Sequence, residues 1–311
     1  MNKPSVNGLV SNVITICFSL LLAVTLILPS GLAQTVHDVA VSNVFSGKTV
    51  VCQGFTATIN VTVVNKGDSP ENFNVTLSRL GETKTYTLVG FMITGWNSSI
   101  PAPAINVNLW DTVSLTLSSG DGGTHNFFVD YNGNKLPSVG EPISPTITAG
   151  SIIHYSLVAS TAGAFTYYCQ FHPTPMNGPF TTNATSIATS IGAQVVNPSL
   201  PPAESRTLSF TWNSIGMPKG NYTLRAVADT VAGETSVADN TFIGGFIVVS
   251  MPGDVTPDGT IDIFDVVPIA LAFGATSTSP NWNFNADINN DGIVDIFDIV
   301  VVALHFGQVD P

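Results

Sequence analysis

Alternating strand patterning runs from residue 36 to residue 80, stops, and resumes near residue 187. Within residues 55–64 and 72–77 apolar side chains recur at every second position, with the turn Asn65-Lys66-Gly67 between them. A period of two sends one set of side chains to a buried face and the other to solvent. The same pattern returns in residues 192–196, 206–212, 220–229 and 240–249. The first run breaks off as if in the middle of a sandwich. Residues 83–183 are long enough to be a whole domain inserted at a loop tip, where insertions are best tolerated. Charged residues are only 10% of the chain, and Gly, Pro, Thr, Ser and Val are common, which fits strands and turns rather than helices. The expected class is mainly β, with two β-sandwich domains, one carried inside the other.

The insertion has strand patterning of its own at residues 86–92, 105–117, 124–130, 151–157 and 163–169. Its last strand runs straight into Cys169-x-x-His172-x-x-x-Met176. A thiolate, an imidazole and a thioether on one tight loop are soft and borderline donors, suited to copper that alternates between Cu(I) and Cu(II). The loop lacks a second imidazole, which His125 can supply. Taken singly, each residue has a plainer reading: a buried small apolar Cys, a polar His, a core Met. Together, at this spacing, they favour one copper, with zinc or a metal-free site as the alternatives. A Cys52–Cys169 disulfide is a further alternative; Cys17 lies in the apolar leader, so a metal-bound Cys169 leaves Cys52 unpaired. The chain has no His-x-His pair, His154 and His305 have no partner nearby in sequence, and His37 lies three residues beyond Gln34, so it is not the N-terminal His of a copper monooxygenase unless cleavage falls elsewhere. That argues against a second copper, and so against an oxygen-activating enzyme; no glycosidase-like carboxylate pair is apparent either.

The stretch from Gly163 to Cys169, with His125-Asn126, Thr148-Ala149-Gly150, His172, Met176 and Gly178, resembles a cupredoxin over about 100 residues. That resemblance implies a Greek-key sandwich and a type 1 site, with His125, Cys169 and His172 as ligands and Met176 as weak axial ligand. It also implies that Asn126 ties the two ligand loops together. The interval between His172 and Met176 falls between the shorter and longer ones of the family, which bears on the reduction potential. An electron-transfer role and a redox partner docking near His172 follow from the same resemblance. The interrupted outer sandwich resembles a CARDB domain, a cell-adhesion-related seven-stranded sandwich, in Asn65-Lys66-Gly67, Phe210-Thr211-Trp212, residues 220–229, Glu234 and Asp239-Asn240. Scaffold or adhesion is what this family implies.

Residues 251–311 contain one unit twice, offset by 33 residues. Each copy reads as an EF-hand-type loop, with oxygen ligands at positions 1, 3, 5, 9 and 12, a backbone carbonyl at 7 and glycine at 6. The first set is Asp254, Thr256, Asp258, Thr260, Asp262 and Asp265; the second is Asp287, Asn289, Asp291, Ile293, Asp295 and Asp298. Two calcium ions are expected, the first site weaker because Thr256 stands where Asn or Asp is usual. The segment has nine Asp and no Lys or Arg, so its folding should depend on cations. An Asp at position 12 and a helix only after each loop resemble a type I dockerin, which implies a cohesin-like partner read at Ile263, Phe264, Ile296 and Phe297. These pairs are apolar, which suggests a non-cellulosomal partner, or a module packed on its own chain as a calcium-held cap.

Residues 1–33 read as a secretory signal: Lys3, an apolar run over 13–28, then Gly31 and Ala33. The alternative is an uncleaved anchor; no other segment could cross a membrane. Export gives meaning to five Asn-x-Ser/Thr glycosylation candidates, Asn60, Asn74, Asn97, Asn183 and Asn221. The net charge of −12 becomes −13 without the leader, which turns the protein away from nucleic acid and anionic lipid. The expected order is a signal at 1–33, a CARDB-like sandwich at 34–82 and 184–250, a cupredoxin domain at 83–183 and a dockerin at 251–311. The whole is expected to be a secreted or cell-surface electron carrier. The alternative is an adhesion or polysaccharide-degrading-assembly component whose copper is stored, or whose inserted domain is only structural.

Overall fold

The computed structural model describes residues 35–310; the expected leader, with Lys3 and Cys17, lies outside the described residues. The first run folds as β1 (Val39–Ser46), β2 (Val50–Cys52), β3 (Thr56–Asn65) and β4 (Asn74–Leu80). The resumed run gives four more strands, and the insertion seven between them. The insertion contributes β5 (Thr83–Gly90), β6 (Ile105–Asn108), β7 (Thr112–Ser119), β8 (Phe128–Asp130), β9 (Ile152–Val158), β10 (Gly163–Tyr168) and β11 (Asn177–Asn183). The resumed run is β12 (Ala188–Val195), β13 (Ser205–Asn213), β14 (Gly220–Ala228) and β15 (Thr241–Ser250). Two helices close the chain, α1 (Ile263–Ala272) and α2 (Ile296–His305). No helix of the described residues is long and apolar enough to cross a membrane.

The outer sandwich has sheets β1-β3-β13 and β12-β4-β14-β15-β2. In β3 the residues Ala57, Ile59, Val61 and Val63 are fully buried and alternate with outward Thr58, Asn60 and Thr62. β4 lies between β12 and β14, with Leu77 opposite both Gly192 and Ala226. One core therefore draws on residues 39–77 and 196–249 together, and neither half buries its apolar face alone. The sandwich has eight strands where seven were expected. The extra one, Val50–Cys52, adds in parallel to β15, and all three of its residues are buried, so it shows no alternation to read.

The insertion folds as sheets β6-β11-β10-β8 and β5-β7-β9 around a second core. The expected single run at 105–117 is two strands in different sheets. Trp110 turns the chain with φ 73°, and the buried Asp111 carboxylate accepts the N–H groups of Asn108 and Glu82, both at 2.8 Å. The expected strand at 124–130 shrinks to Phe128–Asp130, because His125 makes only an isolated bridge to Ile147.

Each helix begins at its loop's ninth residue through a capping box: Asp262 accepts from Phe264 N–H and Asp265 from Asp262 N–H, as Asp295 and Asp298 do in the second copy. The helical module is not free of the sandwich. Asn285 Oδ1 accepts Thr49 and Val50 N–H at 2.9 and 3.1 Å, and the Lys48 ammonium, buried, donates to Ile288 O at 3.2 Å. Phe284 lies over Gly47, where a Cβ would meet its ring at 2.4 Å. Cys52 packs in the module's own core with Ile261, Ile288 and Val302.

Candidate metal centre

β10 ends at Tyr168 and the chain turns at once. Cys169 N–H donates to Met176 O at 2.9 Å, His172 N–H to Cys169 O at 3.2 Å, and Met176 N–H to His172 O at 3.0 Å. These bonds close residues 169–176 into a tight loop, further limited by Pro173 and Pro175. His125 comes from the segment before β8, held by reciprocal backbone bonds with Ile147 at 3.0 and 2.7 Å. Its ring lies 5.1 Å from the His172 ring. One donor atom from each of His125, Cys169 and His172 lies within 4.8 Å of the others, and Cys169 Sγ is 3.8 Å from His172 Nδ1. Among the described residues, no other group of three His, Cys or carboxylate donors converges this way. Met176 is wholly buried beside them: a Cβ placed on Gly90 would sit 2.8 Å from His125 Cδ2 and 2.9 Å from Met176 Cε.

The donor set fits a soft or borderline metal. His125 is fully buried, and its Nδ1 has no hydrogen-bond partner among the described residues. A buried polar nitrogen left unpaired is costly unless something else takes its lone pair. Burial pushes the Cys169 thiol up, while N–H groups of Asn126, Phe171 and His172 aimed at the sulfur oppose that rise. Burial, then the neighbouring His125, lowers the pKa of His172 and favours its neutral, ligating form. Asn126 Oδ1 accepts Gln170 N–H at 3.0 Å, joining the two ligand segments. Cys52 and Cys169 are both free, in separate cores.

Three residues that no short motif marks complete the site. Asp121 Oδ1 lies 2.9 Å from His125 Nε2. Trp96, fully buried, packs its ring 6.2 Å from that of His125. Gly90 leaves the space that the His125 and Met176 side chains fill. Gly90→Ala should therefore displace one of them and cost about 1–3 kcal/mol in stability. Denaturant unfolding beside a Cu(II) titration checks this; unchanged stability together with unchanged copper affinity would show that the gap is not needed.

The two acidic loops are built alike. Asp254 accepts the N–H groups of Asp258 and Gly259, and Asp287 those of Asp291 and Gly292. Asp265 Oδ1 accepts from Val255 and Thr256 N–H, and Asp298 Oδ1 from Ile288 and Asn289 N–H. The Thr256 hydroxyl donates to Asp265 at 2.9 Å, whereas Asn289 Oδ1 accepts Asp291 N–H and Asn289 Nδ2 donates to Asp291. Asp258 and Asp291 accept from the N–H groups of Thr260 and Ile293. Asp254, Asp265, Asp287 and Asp298 are buried, and burial pushes Asp254 up to about 6, with the Asp265 charge adding to it. Asp287 and Asp298 are raised by burial too. Buried carboxylates facing one another suit a hard cation with oxygen ligands. Ile263, Phe264, Ile296 and Phe297 are all more than half exposed, at 56, 64, 53 and 64%. None of the five glycosylation candidates is buried, but the Asn97 carboxamide bonds Val89 N–H and Thr87 O across a loop.

Among solved structures the chain is similar to auracyanin A, a blue copper protein of Chloroflexus aurantiacus. That match has 16% identity and a TM-score of 0.27, over 32% of this chain and 99% of that one. It is similar to a CARDB domain of Pyrococcus furiosus solved with di-metal ions, at 12% identity and TM-score 0.27, over 70% and 96%. A multicopper oxidase from Pseudomonas thermotolerans matches at 13% identity and TM-score 0.26, over 33% and 30%. Identities and TM-scores this low carry no weight for chemistry, which stands on the residues of this chain. No curated protein matches the sequence. Residues 252–306 match the family model of the dockerin type I domain.

Proposed function

We propose that this protein is an exported electron carrier. Residues 83–183 hold one type 1 copper, and residues 251–311 hold two calcium ions and attach it to a cohesin-like surface partner. Residues 34–82 and 184–250 form the scaffold between them, and residues 1–33 direct export. The observation that carries the copper reading is the buried, unpartnered Nδ1 of His125 beside Cys169 and His172. His125, Cys169 and His172 would hold the copper, with the buried Met176 thioether as a weaker donor. Copper, when bound, supplies a one-electron couple.

The chain's own residues do the rest. The loop bonds among Cys169, His172 and Met176 and the Asn126 tie keep the donors in place, so little reorganises when charge changes. The buried Trp96 packs beside the His125 ring on the inner side. His172 is only half-buried and Phe171 beside it is 44% exposed, which gives electrons a short way in and an apolar patch for a redox partner. The Asp residues of the two loops bind calcium, and the exposed Ile263, Phe264, Ile296 and Phe297 face the attachment partner.

The test is a reductive and oxidative titration of the copper-loaded protein with oxygen uptake followed in parallel. One reversible electron per chain without oxygen consumption is the expected result. Copper that cannot be cycled would sink the carrier reading in favour of storage, and steady oxygen consumption would indicate an oxidase.

A further inference from the structure

We propose that Asp121 is a positioning residue that fixes the tautomer of His125 and, through it, biases the bound copper toward its oxidised state. The inference rests on the copper reading above but concerns a residue outside the ligand set.

Asp121 stands four residues before His125, in the turn between β7 and β8. Three elements fix its carboxylate. Oδ1 accepts Gly123 N–H at 2.9 Å and the Ser119 hydroxyl at 3.3 Å, and Oδ2 accepts Met92 N–H at 2.5 Å from the loop after β5. The remaining bond joins Oδ1 to His125 Nε2 at 2.9 Å. The carboxylate thus accepts from two backbone N–H groups and a hydroxyl, an arrangement that suits its ionised form. An ionised carboxylate can only accept, so Nε2 must carry the imidazole proton. Nδ1 is then a lone pair, and it is the atom that is buried without a hydrogen-bond partner. The carboxylate thus presents the ligating nitrogen outright, rather than leaving a tautomer exchange to precede binding.

The same bond has an electronic consequence. A full negative charge on the far nitrogen makes an imidazole a stronger donor, and the charge itself lies close to the donor set. Both effects stabilise the more positive metal, so Cu(II) gains over Cu(I). Among the described residues no carboxylate is hydrogen-bonded to His172; its Nδ1 lies against Cys169 Sγ, and the residue is partly exposed. The bias is therefore built on the buried ligand, where water screens it least.

Asp121→Asn retains size and a carbonyl acceptor but removes the charge. The ratio of Cu(II) to Cu(I) affinity should fall about tenfold, a rise in potential of ~59 mV for a one-electron couple. Glu204→Gln, which removes an exposed charge from the outer sandwich, should leave the ratio unchanged. A ratio for Asp121→Asn within twofold of wild type, with the charge-transfer band intact, would overturn the inference and leave the copper reading standing. If the variant does not fold, nitrogen-detected NMR of the wild-type imidazoles in the metal-free protein decides instead. A protonated Nε2 on His125 is expected, and a protonated Nδ1 overturns the proposal. A wild type that binds no copper overturns the copper reading and this inference with it.

Discussion

Cys169→Ser should abolish the intense visible thiolate-to-copper band that Cu(II) raises in the wild-type protein, while leaving the fold in place. The sulfur is the one soft anionic donor of the set, and its charge transfer gives the band. A serine hydroxyl is not ionised at neutral pH and is a harder donor, so Cu(II) affinity should drop by more than about 100-fold, beyond what loss of an outer contact costs. The fold should survive because the position is small, fully buried and already faced by the N–H groups of Asn126, Phe171 and His172, which a hydroxyl oxygen can accept. Absorbance and thermal unfolding read the two effects separately. A band that persists in Cys169→Ser would move the thiolate ligand elsewhere, and only Cys52 is available among the described residues. Absence of the band from a folded wild type would make the insertion a structural domain.

How much of this site could be read in advance follows chain distance. Cys169, His172 and Met176 lie on one loop, so their spacing shows in the sequence, and His125 enters there as the second imidazole that the loop lacks. Asp121, Trp96 and Gly90 do not show there, because nothing local distinguishes a solvated Asp, a core Trp or a turn Gly from these. They meet His125 only when the loop after β5 folds over the turn after β7. The same limit applies to the fold. Alternation marked β3 and β13 within a residue or two of their ends, since each has one buried face. It gave no sign of β2, which is buried throughout, or of the break at Trp110, where a tertiary contact to Glu82 turns the chain. The duplicated loops were legible from their glycines and carboxylates. Their mounting on the sandwich through Lys48 and Asn285 was not, because those residues have ordinary polar surroundings in sequence.

That mounting decides what calcium removal should do. Chelation should unfold residues 251–310, with loss of both helices, and should expose Cys52 to a thiol reagent at least tenfold faster, while the copper band is unchanged. The module's core is small and shares Cys52 with the sandwich, so it has little apolar burial to set against buried Asp254, Asp265, Asp287 and Asp298. Metal at a thousand times its dissociation constant contributes ~4.1 kcal/mol per site, and that contribution vanishes with the metal. Labelling is best followed in copper-loaded protein, where Cys169 is occupied and Cys52 is the one cysteine among the described residues left to react. The pH dependence has a definite sign in each state. Asp254, raised to about 6, and Asp287 and Asp298, also raised, hold protons more tightly folded than unfolded. The metal-free module therefore gains stability as pH falls from 7 through about 6 and loses it on return. With calcium present the dependence reverses, because the same protons compete with the metal for its ligands. Asp298→Ala removes the acceptor of Ile288, Asn289 and Asp295 N–H in the loop nearest Lys48, and should mimic chelation even in excess calcium. A module that stays helical and keeps Cys52 protected in chelator would show that packing on the sandwich, not the cation, holds these carboxylates together.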